Sequence, residues 1–383
     1  MKLDKRNWEK VKFGDVAIQQ KGVVDINNTS LNRYIAGEHM DSDDIHLRKW
    51  GTVGDGYLGP AFIRKFEIGD ILYGSRRTYL KKVAVADFDG ITANTTFVIK
   101  PNARFIKPKL LPFLMLSDGF TKHSIENSKG SVNPYINWKD IADYEFLLPS
   151  KEEQTRLAEL LWATDEVVER EKYLLRSIES YQNSFLKENF QDRNQPLVSF
   201  STLIDINPKQ NKLIDKSTFV SFLTMSDVSN EGGILNQEIL PLKDLEGNGF
   251  TQFIENDILF AKITPCMENG KGAIAKKLSN GMGFGSTEFH VLRAKKDSDI
   301  HFCFYLTKMK SFRILAEKLM TGSAGQKRVQ PDFFDYYKFH APTIEVRKYI
   351  GEKMQEIESE KQSVKKQIVY SQQLKTSLLN QIF

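Results

Sequence analysis

The sequence predicts an α+β chain built twice. Two repeated mixed α/β segments are each followed by a long helix, and the two helices pair as a coiled coil in a pseudo-two-fold internal repeat. Three observations predict this. Residues recur at a steady spacing between the halves, short apolar runs alternate with glycine-bearing turns inside each half, and each half closes on a helical heptad pattern.

The repeat is carried by named residues. Val11, Phe13 and Asp70-Ile71-Leu72 recur as Val198, Phe200 and Asp257-Ile258-Leu259, an offset of 187. Phe97, Phe120, Gly130-Ser131, Asp140 and Tyr144 recur as Phe289, Phe312, Gly322-Ser323, Asp332 and Tyr336 at 192, and Pro149 and Phe190 recur as Pro342 and Phe383 at 193. An offset that holds, grows in one place and holds again marks a duplicated fold with one change of loop length. The expected division is 1–149 and 193–341 for the mixed domains, with 150–192 and 342–383 as the helices.

Within the first half, FEIGDILYGSR, KKVAVADF and TTFVIKP read as short strands, PKLLPFLMLSDGFTKHSIENS as one amphipathic helix and DYEFLLP as a closing strand. NDILFAK, KGAIAKK, FHVLRAK and the helical DIHFCFYLTKMKSFRILAEKLM repeat the pattern. Ser150 and Glu153 form a capping box at the head of the first long helix. Its predicted seam is Leu157, Leu160, Thr164, Val167, Glu171, Leu174, Ile178, Tyr181 and Phe185. The second long helix starts at Thr343, with a thinner seam of Ile350, Met354, Ile357, Val364, Ile368 and Leu378 broken by Lys361 and Ser371. Helices of this length need an apolar face covered. Pairing with each other is the economical solution, and folding back onto their own domains is the competing one. At about 1.5 Å per residue each makes a rod of roughly 60 Å.

The composition narrows the functional classes. A net charge of +5 permits a polyanionic partner without requiring one. Two cysteines exclude a disulfide framework and point to a reducing, cytoplasmic location. The opening MKLDKRNWEK has no apolar core of a signal peptide, and no run approaches the roughly 18 apolar residues of a membrane span. The expected protein is neither secreted nor membrane-bound.

Catalytic motifs are missing. GMGFGS at 281–286 has the wrong spacing for a dinucleotide loop, Asn207-Pro208 continues as Lys-Gln, and no Walker lysine, HExxH or CxxC is present. His39 and His46 lie in a polar loop without a third ligand nearby, so neither a metal nor a catalytic residue is expected.

Basic loops occur at matching places. GSRRTYLKK sets Arg76, Arg77, Lys81 and Lys82 around Tyr79 straight after a strand, and AKITPCMENGKG offers Lys262 and Lys271 at the equivalent place. A second loop carries Lys129 and Asn133 in one half and Gln326, Lys327 and Arg328 in the other. Arg and Lys bind phosphates and read guanine O6/N7, whereas Asn and Gln read adenine N6/N7. Each loop alone also reads as a solvated turn. Their coincidence in both repeats, with different letters, suggests two sites reading two different things.

The stretches GSRRTYLKKVAVADFDGITANTTFVIKP, ILFAKITPCMENGKGAIAKKL, GSTEFHVLR and TGSAGQKRVQPDFF resemble the specificity (S) subunit of type I restriction-modification systems, over essentially the full length. The resemblance implies two target recognition domains, each reading one half of an asymmetric bipartite site in double-stranded DNA, separated by two long helices that form an antiparallel coiled coil and act as a ruler between them. It implies two modification (methyltransferase) subunits docked on the helices, and motor-nuclease restriction subunits joining them. S-adenosylmethionine, and ATP with Mg for restriction, then belong to those partners, which methylate adenine with base flipping. No cofactor is expected in this chain. The family's post-strand loop falls on Arg76, Arg77 and Lys81, and on Lys262 and Lys271, while its glycine loop falls on Lys129 and on Lys327 and Arg328. Thr287 and Glu288 read as framework, and Phe289 and Val291 as core. The second helix lacks the Glu-Gln pair that the first keeps as Glu153-Gln154. The rival reading is a tandem-repeat coiled-coil scaffold that binds proteins rather than DNA.

Overall fold

Asp70 and Asp257 open the same buried strand in the two halves, and the rest of each half is built around it. The computed structural model describes residues 3–26, 28–190, 194–209, 215–245, 247–323 and 325–383; the domain boundary expected at 192/193 lies outside them. The chain divides into two units, Met1–Tyr173 with Lys365–Phe383, and Leu174–Val364.

In the first unit the strands are β1 (Glu9–Lys12), β2 (Ala17–Gln20), β3 (Arg33–Ile35), β4 (Gly51–Thr52), β5 (Phe62–Phe66), β6 (Ile71–Gly74), β7 (Val83–Val85), β8 (Gly90–Ala93), β9 (Thr96–Pro101) and β10 (Glu145–Leu148). They make two four-stranded sheets, ordered β2-β9-β6-β7 and β4-β3-β8-β5, and a ribbon of β1 with β10. The second unit has β11 (Leu197–Ser199), β12 (Ile204–Ile206), β13 (Phe219–Leu223), β14 (Glu238–Pro241), β15 (Thr251–Ile254), β16 (Ile258–Ala261), β17 (Gly272–Ile274), β18 (Met282–Gly285), β19 (Phe289–Ala294) and β20 (Lys338–His340). Their order, β12-β19-β16-β17, β14-β13-β18-β15 and β11 with β20, is the same topology.

The central strands β6 and β16 are buried on both faces, so they read as continuous apolar runs. Ahead of each, the buried aspartate accepts a backbone N–H three residues back, Glu67 for Asp70 and Ile254 for Asp257, both at 2.8 Å. Arg293 then clamps Asp257 with two bonds of 2.7 Å. The equivalent Lys100 stays 3.8 Å from Asp70 and bonds Glu67 instead.

Ladder register corrects the repeat. Tyr73 pairs with Phe97, and Phe260 pairs with His290. The counterpart of Phe97 is therefore His290, not Phe289. Phe13 N donates to Tyr144 O at 2.7 Å and Phe200 N to Tyr337 O at 2.9 Å, so Tyr337, not the exposed Tyr336, matches Tyr144. Phe120 and Phe312 do correspond, each packed on the equivalent rings at 4.5–5.8 Å. The offset thus changes in more than one loop.

The shorter helices of the first unit are α1 (Phe13–Val16), α2 (Leu111–Leu116), α3 (Asp118–Glu126) and α4 (Trp138–Ala142). The single helix expected over 108–128 is broken at Ser117, which is extended (φ −62°, ψ 152°) and caps the next segment by accepting from Phe120 N. The long helix α5 spans Lys151–Phe190, and its head carries the predicted capping box, with Ser150 N to Glu153 at 3.2 Å and Glu153 N to Ser150 Oγ at 3.3 Å. In the second unit, α6 (Ile300–Lys308) and α7 (Lys310–Lys318) meet at an equivalent break at Met309, and α8 (Phe333–Tyr336) precedes α9 (Ile344–Ile382).

α5 and α9 run antiparallel within each unit. In the first, Lys375 bonds Asp165 at 2.6 Å and Ser371 bonds Glu171 at 3.0 Å. In the second, Lys361 bonds Gln182 at 2.9 Å and Tyr349 packs on Phe185. The predicted α9 seam holds over its first part: Ile350, Met354, Ile357 and Val364 are buried, and the polar interruptions Lys361 and Ser371 are paired, whereas Ile368 and Leu378 are only half-buried and Leu379 and Ile382 are buried in their stead. On α5 the buried stripe is Gln154, Leu157, Leu161, Asp165, Val168, Ile178 and Phe185. Val167, Leu174 and Tyr181 of the predicted seam are instead 43–50% exposed. Gln154 ties the helix head to its own domain, taking Lys107 N at 2.7 Å and giving to Phe105 O and Pro149 O. At the matching place on α9, Arg347 bonds Asp299 at 2.8 and 3.1 Å. The missing Glu-Gln pair is thus replaced by an ion pair with the same anchoring job.

Candidate nucleic-acid interface

Local chain geometry joins the two polar loops of each unit. After β6 the chain turns through Arg76 and Arg77 into a 3₁₀ turn at Thr78–Leu80, flanked by positive φ at Arg77 (51°) and Lys81 (47°). The glycine loop after α3 runs back along it. Arg77 N donates to Pro134 O at 2.7 Å and Ile136 N to Ser75 O at 2.9 Å, while Arg76 bridges Tyr135. In the second unit Thr264 N donates to Lys327 O at 3.1 Å and Val329 N to Lys262 O at 2.9 Å, while Ile263 bridges Arg328. Loops far apart in sequence thus form one surface per unit, on the same backbone zip but with different side chains.

The side chains on it do two kinds of work. Arg76, Arg77, Asn133, Gln326 and Lys327 are exposed, and among the described residues no side-chain partner holds them. The others hold the loops in place. Lys81 bonds Asp118 at 2.6 Å, Lys82 donates to Gly37 O, and Lys271 donates to Met225 O at 2.8 Å. Lys129 lies 3.2 Å from Asp140, whose carboxyl is held below its ordinary range by the Asn137 hydrogen bond and then by Lys129. Arg328 forks onto Glu288 at 2.9 and 2.8 Å and pulls that carboxyl down. Lys262 is half-buried and lines a cleft, where burial lowers its ammonium pKa, opposed by the Glu288 charge and aided by that of Arg328.

β15 adds two residues the sequence reading missed, Thr251 and Gln252, which share that cleft with Lys262. Sheet register places them opposite Gly285 and Phe284, as Arg64 and Lys65 stand opposite Thr92 and Ile91 in the first unit. The signal was a change of polar letters at equivalent positions, readable only once the register is known.

His46 does have acidic neighbours, contrary to its sequence surroundings. Asp44, His46 and Glu169 each bring a ligand-type atom within 4.8 Å of the others, because α5 supplies Glu169. Arg48 already bonds Asp44 at 2.7 Å and Glu169 at 2.5 Å, and Lys172 reaches both near 3 Å. The cluster is therefore a charge-balanced ion-pair network. His46 itself bonds Asp165 at 2.7 Å, chiefly through which its pKa is raised.

The family model for the type I restriction modification DNA specificity domain matches residues 5–180 and 202–370. The chain belongs to this family. Each matched stretch carries one zipped loop pair. Among curated proteins, the type I restriction enzyme EcoEI specificity subunit of Escherichia coli is 36% identical over 188 residues, 48% of this chain and 30% of that protein. The EcoAI specificity subunit of Escherichia coli is 39% identical over 155 residues, 40% of this chain and 26% of that protein. The matches thus span under a third of either relative's length. The type I restriction-modification S subunit from M. genitalium shares the fold, with TM-score 0.62 and 14% identity over 100% of this chain and 98% of that one. A chain from a structure of type I R-M complex assembly does so at TM-score 0.59 and 17% identity, covering 98% and 97%. Among the described residues no helix is long and apolar enough to cross a membrane.

Proposed function

We propose that this chain is the non-catalytic DNA-recognition subunit of a type I restriction-modification complex. Residues 1–149 and 193–341 each read one half of an asymmetric bipartite site, and the helices at 150–192 and 342–383 set the spacing and dock two methyltransferase subunits. Motor-nuclease subunits complete the assembly. S-adenosylmethionine, and ATP with Mg, bind on those partners.

One observation carries the reading. The same backbone zip presents Arg76, Arg77 and Asn133 in one unit and Gln326 and Lys327 in the other. Fixed framework with divergent donors is what reading two different half-sites requires, since phosphate contacts position a protein and base-edge contacts specify sequence. Rigid attachment supports it too, because Lys81, Lys82, Lys271 and Arg328 are spent on holding the loops.

The test is expression with the cognate modification subunit in a methylation-free host, followed by genome-wide mapping of N6-methyladenine. A split motif of fixed spacing that disappears when this chain is omitted is the expected result. No new methylation, with the modification subunit bound and active, overturns the proposal in favour of a protein-binding scaffold.

A further inference from the structure

The loop that follows β16, residues 262–271, is closed on itself and bolted to the body of the second unit. Inside it, Met267 N donates to Ile263 O, Asn269 N to Pro265 O and Lys271 N to Cys266 O, each at 3.0 Å. Thr264 Oγ1 donates to the Glu268 carboxylate at 2.7 Å. Three cations then fasten the loop. Lys271 Nζ donates outward to Met225 O at 2.8 Å, Arg313 Nη1 donates in to Met267 O at 2.7 Å, and Lys308 Nζ joins Gly270 O and Asn230 O, each at 2.5 Å. Lys308 ends α6 and Arg313 lies on α7, so one break between two helices fixes two carbonyls of the loop. Asn269 sits between those two carbonyls in the chain.

The backbone of Asn269 is held, but its side chain is exposed, and among the described residues it has no hydrogen-bond partner. It offers a donor and an acceptor side by side, the pair that matches adenine N6/N7. The first unit keeps the same loop end with other letters. Tyr73 pairs with Val83 as Phe260 pairs with Gly272, so Lys82 corresponds to Lys271 and Lys81 to Gly270. Lys81 and Gly270 share a positive φ, 47° and 79°. Leu80, half-buried, therefore stands where Asn269 does. The tie to the helix break is present in both units with its polarity reversed. Lys81 reaches Asp118 at the head of α3, whereas the Gly270 carbonyl receives Lys308 from the end of α6.

Stability gives no reason for a lysine at 308. Burial pushes its ammonium down to about 7, with the Arg313 charge adding to the effect and Glu358 and Glu231 opposing it. A methionine would place the same stem against Phe304 without that penalty. What the lysine alone supplies is a fixed Gly270 carbonyl next to Asn269. We propose that Asn269 is a specificity-determining residue that reads a base edge in the half-site bound by the second unit, and that Lys308 is the positioning residue that holds it there. This rests on the DNA-recognition reading above. The two half-sites are then read with different chemistry at equivalent loop positions, Leu80 and Asn269.

The experiment uses the full chain with its cognate modification subunit, comparing wild type, Asn269→Ala, Lys308→Met and Arg76→Ala by genome-wide methylation mapping and thermal melts. Asn269→Ala should relax one position, letting a substituted base be methylated at least roughly tenfold more often. That position should lie in the half-site that Arg76→Ala leaves unchanged. Lys308→Met should relax the same position while its melt stays within about 2 °C of wild type, because water takes over the freed carbonyls. For Asn269→Ala, a uniform drop in methylation with an unaltered motif would make the residue a phosphate contact and overturn the inference, as would an unchanged motif at full level. For Lys308→Met, a larger fall in the melt, an unaltered motif or relaxation elsewhere would make the lysine structural and overturn its positioning role. If wild type itself yields no split motif, the DNA-recognition reading fails, and that result is distinct from the others.

Discussion

Replacing Asp165 with Ala removes the anion on which two cations converge inside the first unit. His46 Nε2 lies 2.7 Å and Lys375 Nζ 2.6 Å from its carboxylate. The Asp165 side chain is 4% exposed and that of Lys375 12%, so Lys375 would be left as a buried ammonium without its partner. Breaking a buried pair from one side costs about 3–5 kcal/mol, against about 0–1 kcal/mol for an exposed pair. His46 is one-third exposed and its share is screened, which puts the expected loss at the lower end, about 3 kcal/mol. For a unit of roughly 150–250 residues each kcal/mol lowers Tm by about 2–4 °C, so the melt of the first unit should fall by about 6–12 °C. Adding Lys375→Met to Asp165→Ala should recover part of that loss, because an apolar pair in place of a buried ion pair is often neutral or better. The assay is calorimetry of wild type, both single variants and the double variant. Because Asp165 raises the His46 pKa, the stability from that bond is fully present below the ordinary histidine value near 6.5 and is lost as pH rises through the raised one. The gap between wild type and Asp165→Ala should therefore narrow on going alkaline, without closing while Lys375 still pairs. A drop under about 2 °C with no coupling to Lys375 would refute the reasoning.

The other expectations concern recognition, anchoring and length. Arg76→Ala should weaken DNA binding and relax methylation at one half-site only, since its guanidinium is exposed and unpaired; equal loss across unrelated DNA sequences would make it a phosphate contact. Arg347→Met should destabilise by about 3–5 kcal/mol, because Asp299 is left as a buried charge, and Gln154→Ala by about 1–3 kcal/mol through orphaned backbone groups. Urea melts of the two variants rank them, and the reverse order would contradict the anchoring described. Deleting one heptad from both α5 and α9 should change the spacer tolerated between half-sites, read from the methylation motif, and an unchanged spacer removes the ruler.

Where the sequence spoke plainly, the reason was physical. β6 and β16 are buried on both faces and follow an aspartate that caps their turn, so each shows as an apolar run after Asp. The α9 seam was legible from Ile350 to Val364, where apolar residues at heptad spacing are interrupted only by Lys361. α5 misled because its inward positions include Gln154 and Asp165, while Leu160 and Val167 supply apolar letters one residue from the buried Leu161 and Val168. Polar residues with dedicated partners are invisible to a hydrophobic period. The second sheet of the first unit escaped notice partly because Gly51–Thr52 and Arg33–Ile35 are two or three residues long. The loops were legible as basic and duplicated, but their zip was not, since Arg77 N to Pro134 O is a backbone bond no side chain announces. The partners of Lys81 and Lys82, Asp118 and Gly37, likewise come from elsewhere in the fold.

The most direct test of the central claim is to exchange one recognition domain and leave everything else alone. Residues 1–149 are replaced by the corresponding segment of another family member, and N6-methyladenine is mapped in the presence of the cognate modification subunit. The expected result is a hybrid motif in which one half-site is new and the other half-site and the spacer are those of the unaltered chain. A motif changed in both halves, or methylation that keeps the original motif, would contradict it.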